Sequence, residues 1–387
     1  MSANDMRWIS RALDLAEASV GLASPNPQVG CVLVRNEARR NEAVLGEGAH
    51  LYDARDHAEI AALKQAAAAA REVRGATAYV TLEPCSHQGR TGPCADALIA
   101  AGIARCVVAT ADPNPQVSGR GIARMRAAGI AVEIGTGEQR ARRLNDAFAF
   151  SITQGRPLVT LKAGLSVDGR LAPPPALRVP GMPHWLTSPP ARDDVQRLRH
   201  AADAILTGIG TVLADDPLLT DRSGLGRRRP LQRIVLDPRL RLPAEAKLLD
   251  APETLWLFHG ADAPESRRNE LIRRGVRLTQ VHAAPRLALG EVLQHLHAAG
   301  LLGVLLEAGP ALNGAFLEAD LVDAAVLYYA AQELGPASLP FASTAAGETS
   351  PFALEQRMLT VAKSPIGPDV RVSGLLHDPW AGLALVR

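Results

Sequence analysis

Three residues of types that bind soft metal ions stand at spacings that restrict how this chain can fold. They are His57 in His57-Ala58-Glu59, Cys85 directly after Pro84, and Cys94 after eight intervening residues. One imidazole and two thiolates can hold zinc and leave its fourth tetrahedral position open to water. To share one ion, the segments that carry them must converge. His57 opens a helix-like run over 58–74 that stops at Gly75. Pro93 suits the first turn of a second helix, over 94–102, which would set Cys94 at a helix N-terminus, where the thiolate is favoured. The strand-like residues 78–82 deliver Cys85 between them. Two helix starts and one strand end around a single point describe an α/β arrangement.

Glu59 is not needed as a ligand. It is placed to accept a proton from water and pass it to a leaving amine, and His-x-Glu followed by Pro-Cys and a second Cys is the pattern of zinc-dependent base deaminases. The other readings are a structural zinc knot, or buried thiols with no metal. A structural site closes with a fourth His or Cys. No fourth Cys stands nearby, although His87 could compete for the place. Cys31 and Cys106 lie in apolar, strand-like runs and read as core.

The 387 residues suffice for two domains, and a hydrophobic content of 47% supports real cores. A formal net charge of +2 argues against a nucleic-acid binder that works by bulk electrostatics. The opening residues lack a signal pattern, and no segment reads as a membrane span, so a cytoplasmic enzyme is expected. Four cysteines in a chain this long do not read as a disulfide framework.

The first half alternates: helices over 5–20, 58–74, 94–102, 120–129 and a polar one over 137–147, with strands at 29–34, 77–82, 105–110 and 130–134. Residues 151–157 read as a linker, which divides the chain into domains 1–150 and 151–387. The second half restarts with strands at 158–163, 204–207, 232–237, 254–258, 302–306 and 324–329, and helices over 189–201, 286–299 and 310–318. The zinc motif does not recur, so the halves are expected to do different chemistry. Two glycine turns, around Gly208-Ile209-Gly210 and Glu307-Ala308-Gly309-Pro310, present backbone N–H groups at helix starts, where phosphate binds well, although tight-turn glycines are the plainer explanation. Arg199 and Arg222 are candidate phosphate partners. The run Arg227-Arg228-Arg229 reads as a solvated loop.

The motifs resemble the bifunctional deaminase/reductase family of riboflavin biosynthesis. In the first half they are Ser24-Pro25-Asn26-Pro27-Gln28-Val29-Gly30-Cys31, His57-Ala58-Glu59, the stretch from Thr81-Leu82-Glu83-Pro84-Cys85 to Gly92-Pro93-Cys94, and Asp112-Pro113-Asn114-Pro115. The long gap between the cysteines separates them from nucleic-acid deaminases, which usually carry two residues there. In the second half they are Leu161-Lys162-Ala163-Gly164, Trp185-Leu186-Thr187-Ser188, Thr211-Val212-Leu213-Ala214-Asp215-Asp216-Pro217, Leu219-Thr220-Asp221-Arg222 and Glu307-Ala308-Gly309-Pro310.

The resemblance implies a cytidine-deaminase-like α/β/α domain followed by a dihydrofolate-reductase-like α/β domain, one Zn²⁺ per deaminase domain, NADPH, and a homo-oligomer. The expected substrate is a small phosphoribosylaminopyrimidine, with no nucleic-acid or membrane partner. By the same resemblance Asn26, His50, His87, Arg90 and Asn114 shape the deaminase pocket. In the reductase Lys162 and Asp215 handle protons. Arg199, Leu219, Arg222 and Glu307 bind substrate, and Gly164, Trp185, Thr211, Asp215 and Gly309 contact NADPH. Departures from the family pattern are a longer hairpin at 35–42, Asp56 in place of Pro before the His-Ala-Glu, a Pro-rich stretch ending in Pro183, and Pro238 after Asp237. Most lie in the second half. An inactive reductase domain is therefore the leading alternative, ahead of a zinc-binding interaction protein without catalysis.

Overall fold

The computed structural model describes residues 2–35, 43–87, 92–178, 184–284 and 286–382. The chain forms two compact units. The first comprises Met1–Gln154, Gly226–Arg229 and Pro379–Arg387, and the second Gly155–Leu225 and Pro230–Asp378.

The first unit runs α1 (Ala3–Glu17), β1 (Gly30–Arg35), β2 (Ala43–Ala49), α2 (Ala58–Ala68), β3 (Thr77–Val80) and α3 (Cys94–Ala100). It continues with β4 (Arg105–Val108), α4 (Arg120–Ala127), β5 (Ala131–Ile134), α5 (Glu138–Leu144) and α6 (Asp146–Gln154). The sheet order is β2-β1-β3-β4-β5. β1 is antiparallel to both neighbours, and β3, β4 and β5 are parallel. Side chains alternate across a strand, and that alternation builds the layers. Cys31, Leu33, Ala78, Val80 and Cys106 pack with Ala58, Ala62, Leu98 and Met125 on one face. Val32, Val34, Tyr79 and Val107 pack with Trp8, Ile9, Leu13 and Ala141 on the other. Cys31 and Cys106 are core, as expected.

The site depends on how closely α2 lies on the sheet. Its Ala58, Ala62 and Ala66 are completely buried. They cross β2 at Gly46 and Gly48, where a Cβ would lie 2.2 Å from the Ala62 carbonyl oxygen and 2.3 Å from that of Ala58. Small residues on both sides let backbone approach backbone, and this fixes the helix start that carries His57 and Glu59.

Several expectations need correction. The helix expected over 58–74 ends at Ala68, because Ala70 turns left-handed (φ 52°) and the Arg71 N–H closes back on the Ala66 carbonyl at 2.9 Å. The alanine run carries no stop signal of its own. The polar helix expected over 137–147 breaks at Asn145, whose buried amide bonds both the N–H and the carbonyl of Gln28 (2.8 and 3.0 Å). The expected linker is helical through Gln154, with Ser151 buried. Pro93 is the residue before α3 rather than in its first turn. β2 was not legible, since its glycines suppress a strand pattern.

The second unit runs β6 (Leu158–Leu165), β7 (Arg170–Ala172), α7 (Pro189–Ala201), β8 (Ala204–Gly208), α8 (Ile209–Asp215), β9 (Gln232–Leu236) and β10 (Leu255–His259). Next come α9 (Glu265–Arg273), β11 (Arg277–Gln280), α10 (Leu289–Ala298), β12 (Gly303–Leu306), α11 (Pro310–Glu318) and β13 (Ala324–Tyr329). The last elements are β14 (Leu339–Pro340), β15 (Ala342–Thr344), β16 (Gly347–Thr349), α12 (Pro351–Arg357), β17 (Ala362–Ile366) and β18 (Asp369–Leu375). The main sheet has the order β11-β10-β9-β8-β12-β6-β13-β18-β17. It is parallel from β11 to β13, and β18 and β17 add antiparallel. The expected helices over 189–201 and 310–318 and the strand over 324–329 appear with those bounds, whereas α9, β11, α12 and the closing β17–β18 pair were not anticipated.

β8 and β12 are neighbours that come from distant parts of the chain. Their carboxyl ends lead into the Gly208 and Gly309 turns, and β6 beside β12 carries Lys162 and Gly164. In open α/β sheets, ligands bind outside such strand ends.

Candidate active sites

In the first unit α2, the turn after β3, and α3 bring the three expected ligands together. His57 Nδ1 lies 3.5 Å from Cys85 Sγ and 3.2 Å from Cys94 Sγ, and the three ligand atoms lie within 4.8 Å of one another. Bond lengths of about 2.0 and 2.3 Å at a tetrahedral angle put such atoms roughly 3.5 Å apart, so the set fits zinc. No fourth His or Cys joins it among the described residues. The Cys94 N–H points at Cys85 Sγ (3.3 Å), and hydrogen bonds from Cys94 and His57 pull the Cys85 thiol well down.

Glu59, in the first turn of α2, is buried, and burial pushes it up to about 7. His50 is buried as well. Its Nδ1 faces the Asp56 carbonyl at 2.8 Å. A carbonyl only accepts, so Nδ1 carries the proton and Nε2 accepts from the Asn26 amide at 3.0 Å. Burial also holds the His50 pKa below its usual value, in keeping with a neutral ring. The ring meets His57 edge-on at 5.3 Å. The Asp56 carboxylate turns away to Lys64 (2.7 Å) and does not cap α2.

Asn114 sits in a turn in which its N–H bonds Asp112 (2.8 Å) and its side-chain oxygen takes the Gln116 N–H (2.9 Å). His87 is exposed, and Arg90 lies outside the described residues. Sequence reasoning assigned no role to Glu83. It is buried and accepts from the N–H groups of Asp112 (3.2 Å), Gly119 (2.9 Å), Gly121 (2.9 Å) and Ile122 (3.3 Å), tying the Asn114 turn to the strand end that carries Cys85. Its position two residues before a ligand was the available signal.

In the second unit a cavity of about 890 Å³ opens at the carboxyl ends of β6, β8 and β12. Lys162, Gly164, Trp185, Arg199, Thr211, Asp215, Leu219, Arg222, Glu307 and Gly309 all line it. Arg199 forks onto the Glu307 carboxylate (Nε 2.8 Å, Nη2 3.0 Å) and holds the Thr220 carbonyl at 2.9 Å. Lys162 approaches Glu307 at 3.5 Å. Burial would raise Glu307, but Lys162 and Arg199 outweigh it and hold the carboxyl at about 2. Burial raises Asp215 above its usual value, against the opposing charge of Arg178. Trp185 is 59% exposed, with Arg192 5.1 Å from its ring centre, so it is not core. Pro183 lies outside the described residues.

Arg178, Arg241, Lys247 and Arg286 also line the cavity. Their spacing in sequence gave no sign that they would meet. Cations outnumber carboxylates around it, which suits an anionic dinucleotide and a phosphorylated substrate.

A three-ligand metal cluster beside a buried glutamate, and a basic cavity at the ends of a parallel sheet, define a two-module enzyme: a zinc deaminase followed by a reductase. Residues 2–110 match the cytidine and deoxycytidylate deaminase zinc-binding region, and residues 157–358 match the RibD C-terminal domain. The chain is 42% identical to the Escherichia coli (strain K12) riboflavin biosynthesis protein RibD over 86% of this chain and 89% of that one. It is 35% identical to the Bacillus amyloliquefaciens protein of the same name over 96% of each. The crystal structure of a Thermotoga maritima diaminohydroxyphosphoribosylaminopyrimidine deaminase/5-amino-6-(5-phosphoribosylamino)uracil reductase superposes with a TM-score of 0.78 (29% identity; 95% and 97% of the two chains). Acinetobacter baumannii RibD gives 0.80 (37% identity; 96% and 98%). The chain belongs to the RibD family of riboflavin biosynthesis enzymes and carries both of its modules, a cytidine-deaminase-like domain and a dihydrofolate-reductase-like domain. No described helix is long and apolar enough to cross a membrane.

Proposed function

We propose that residues 1–150 deaminate 2,5-diamino-6-(5-phosphoribosylamino)pyrimidin-4-one to 5-amino-6-(5-phosphoribosylamino)uracil, and that residues 151–387 reduce the ribosyl group of that product to ribityl with NADPH. The observation that carries the reading is the His57–Cys85–Cys94 set with the enclosed Glu59 beside it.

Zinc held by those three residues supplies Lewis acidity, which makes a water proton acidic near neutral pH. Glu59 takes that proton, gives it to the ring nitrogen next to the carbon under attack, and later returns a proton to the departing ammonia. A carboxyl near pH 7 suits both directions of transfer. Asn26, His50, His87 and Asn114 orient the pyrimidine ribotide, and Arg90 meets its phosphate.

NADPH supplies the hydride in the second module. The ribosyl ring opens to an imine or aldehyde equivalent, C1′ accepts hydride, and the sugar oxygen needs a proton. Lys162, which lies 3.5 Å from Glu307, and Asp215 manage that proton and polarise the group. Arg222, exposed at the cavity rim, takes the substrate phosphate. Arg199 backs it by fixing Glu307 and the 219–222 loop, in which Leu219 packs. Gly164, Trp185, Thr211, Asp215 and the Gly309 turn border the dinucleotide. The protein works in the cytoplasm as a homo-oligomer, an expectation that rests on family resemblance and that size-exclusion chromatography tests.

The deciding experiment supplies the diaminopyrimidine ribotide and NADPH to zinc-loaded protein and follows ammonia release and NADPH oxidation together. Ammonia followed by NADPH consumption is the expected result. Ammonia alone would leave only the deaminase.

A further inference from the structure

Gly226–Arg229 belongs to the first unit, although in sequence it lies between α8 and β9 of the second. Its arginines read as a solvated loop from sequence; instead they are seated. The Arg228 N–H donates to the Gly21 carbonyl at 2.9 Å. Its Nε donates to the Ser24 carbonyl at 3.1 Å, and its guanidinium lies 4.0 Å from the centre of the Tyr52 ring. Asp53 approaches at 3.8 Å, and the Arg228 side chain is only 17% exposed. Arg229 donates to Ser24 Oγ at 3.3 Å.

The Arg228 side chain therefore ties Ser24 to residues 52–53, and its backbone N–H adds Gly21. Both stretches lead directly to residues that adjoin the metal ligand His57. Two residues after Ser24, Asn26 bonds His50, and His50 bonds the Asp56 carbonyl just before the ligand His57. The Tyr52 N–H bonds the Leu22 carbonyl (3.2 Å), so the two stretches share a single local frame. A planar guanidinium can donate to a carbonyl and stack on an aromatic face at once, which a lysine cannot do with the same geometry.

We propose that Arg228 is a positioning residue for deamination: from outside the deaminase stretch of sequence it locks the 21–26 segment and so sets the aim of Asn26 and His50 at the pyrimidine. This inference rests on the deaminase reading above. The test uses full-length, zinc-loaded protein carrying Arg228→Ala, Arg228→Lys, Tyr52→Ala, or Arg228→Ala with Tyr52→Ala. Deaminase KM and kcat are read by ammonia release, the reductase rate on pre-deaminated substrate by NADPH oxidation, and zinc content directly.

The expected result for Arg228→Ala is a deaminase KM raised between about tenfold and a hundredfold, the scale that a displacement near 1 Å produces. Zinc content and the reductase rate stay unchanged. Arg228→Lys recovers part of the loss through its remaining charge over Tyr52, and the double variant is little worse than Arg228→Ala because the two groups act as a pair. A lowered melting temperature with unchanged KM, or a reductase rate that falls in parallel, overturns the proposal. If the wild type releases no ammonia, the functional reading itself fails. If the wild type does and Arg228→Ala matches it, only this inference fails.

Discussion

Glu59 in the first unit is pushed up to about 7 by burial, whereas Glu307 in the second, with its side chain 13% exposed, is held at about 2. Both start from an ordinary value near 4.5. The difference lies in the neighbours. No arginine or lysine pairs with Glu59 among the described residues, and the groups beside it are thiols and an imidazole. Glu307 faces Arg199 through two hydrogen bonds and Lys162 at 3.5 Å. An enclosed carboxyl without a cation becomes a proton carrier, and one between two cations becomes a fixed anion that orients them. The same residue type is thus left near neutrality in one module and held as an anion in the other.

The sharpest way to break this contrast is Glu59→Gln. It should cut deamination by about 10²–10⁴-fold, the usual worth of a positioned acid/base, while zinc content and reductase rate hold. A variant that deaminates at the normal rate would remove Glu59 from the mechanism. Glu307→Gln should act differently, by leaving Arg199 and Lys162 without their counter-ion. A destabilisation of about 3–5 kcal/mol is expected, as when one partner of an enclosed pair is lost, and chemical denaturation should assign it to the second unit's transition.

The pH dependence should separate the two carboxyls by sign. Because the folded-state pKa of Glu307 is depressed, its contribution is fully present above about pH 4.5 and is lost as pH falls towards 2. Glu307→Gln should flatten that acid limb. Glu59 is raised, so in chelator-treated protein it makes the first unit less stable as pH rises from about 4.5 to about 7. Glu59→Gln should remove that slope, and denaturation midpoints of the metal-free protein at pH 5 and 8 read it directly. Equal slopes in wild type and variant would mean that Glu59 is not shifted.

The smallest effect concerns Asp56, whose place the family usually gives to Pro. Its carboxylate pairs with Lys64, which is 67% exposed, so Asp56→Asn should cost less than about 1 kcal/mol. Deaminase activity should stay near wild type. A large loss would show that the Asp56 charge reaches the metal, contrary to its observed direction.

Legibility followed the length scale of the signal. His57, Cys85 and Cys94 were readable because each sits at an element boundary marked by local residues: an apolar run after His57, a β-rich run before Cys85, and Pro93 before α3. β2 was not, since Gly46 and Gly48 make sense only once α2 lies on top of them. The break between α5 and α6 was hidden because Asn145 stops the helix by bonding Gln28, far away in sequence. Glu83 looked like part of a motif, and its four N–H partners come from the turn before α4 and from the first turn of α4, 29 to 39 residues on.

The α/β alternation, the convergence of His57, Cys85 and Cys94 and the family were legible in the chain alone, because these rest on short-range periodicity and on residue types at fixed spacing. Which buried glutamate is pushed towards neutrality, which basic residues share the second unit's cavity, and where Arg228 is seated emerge only on packing. Those outcomes depend on desolvation and on charges brought together from distant parts of the chain, and neither quantity exists until the sheet and its helices have packed.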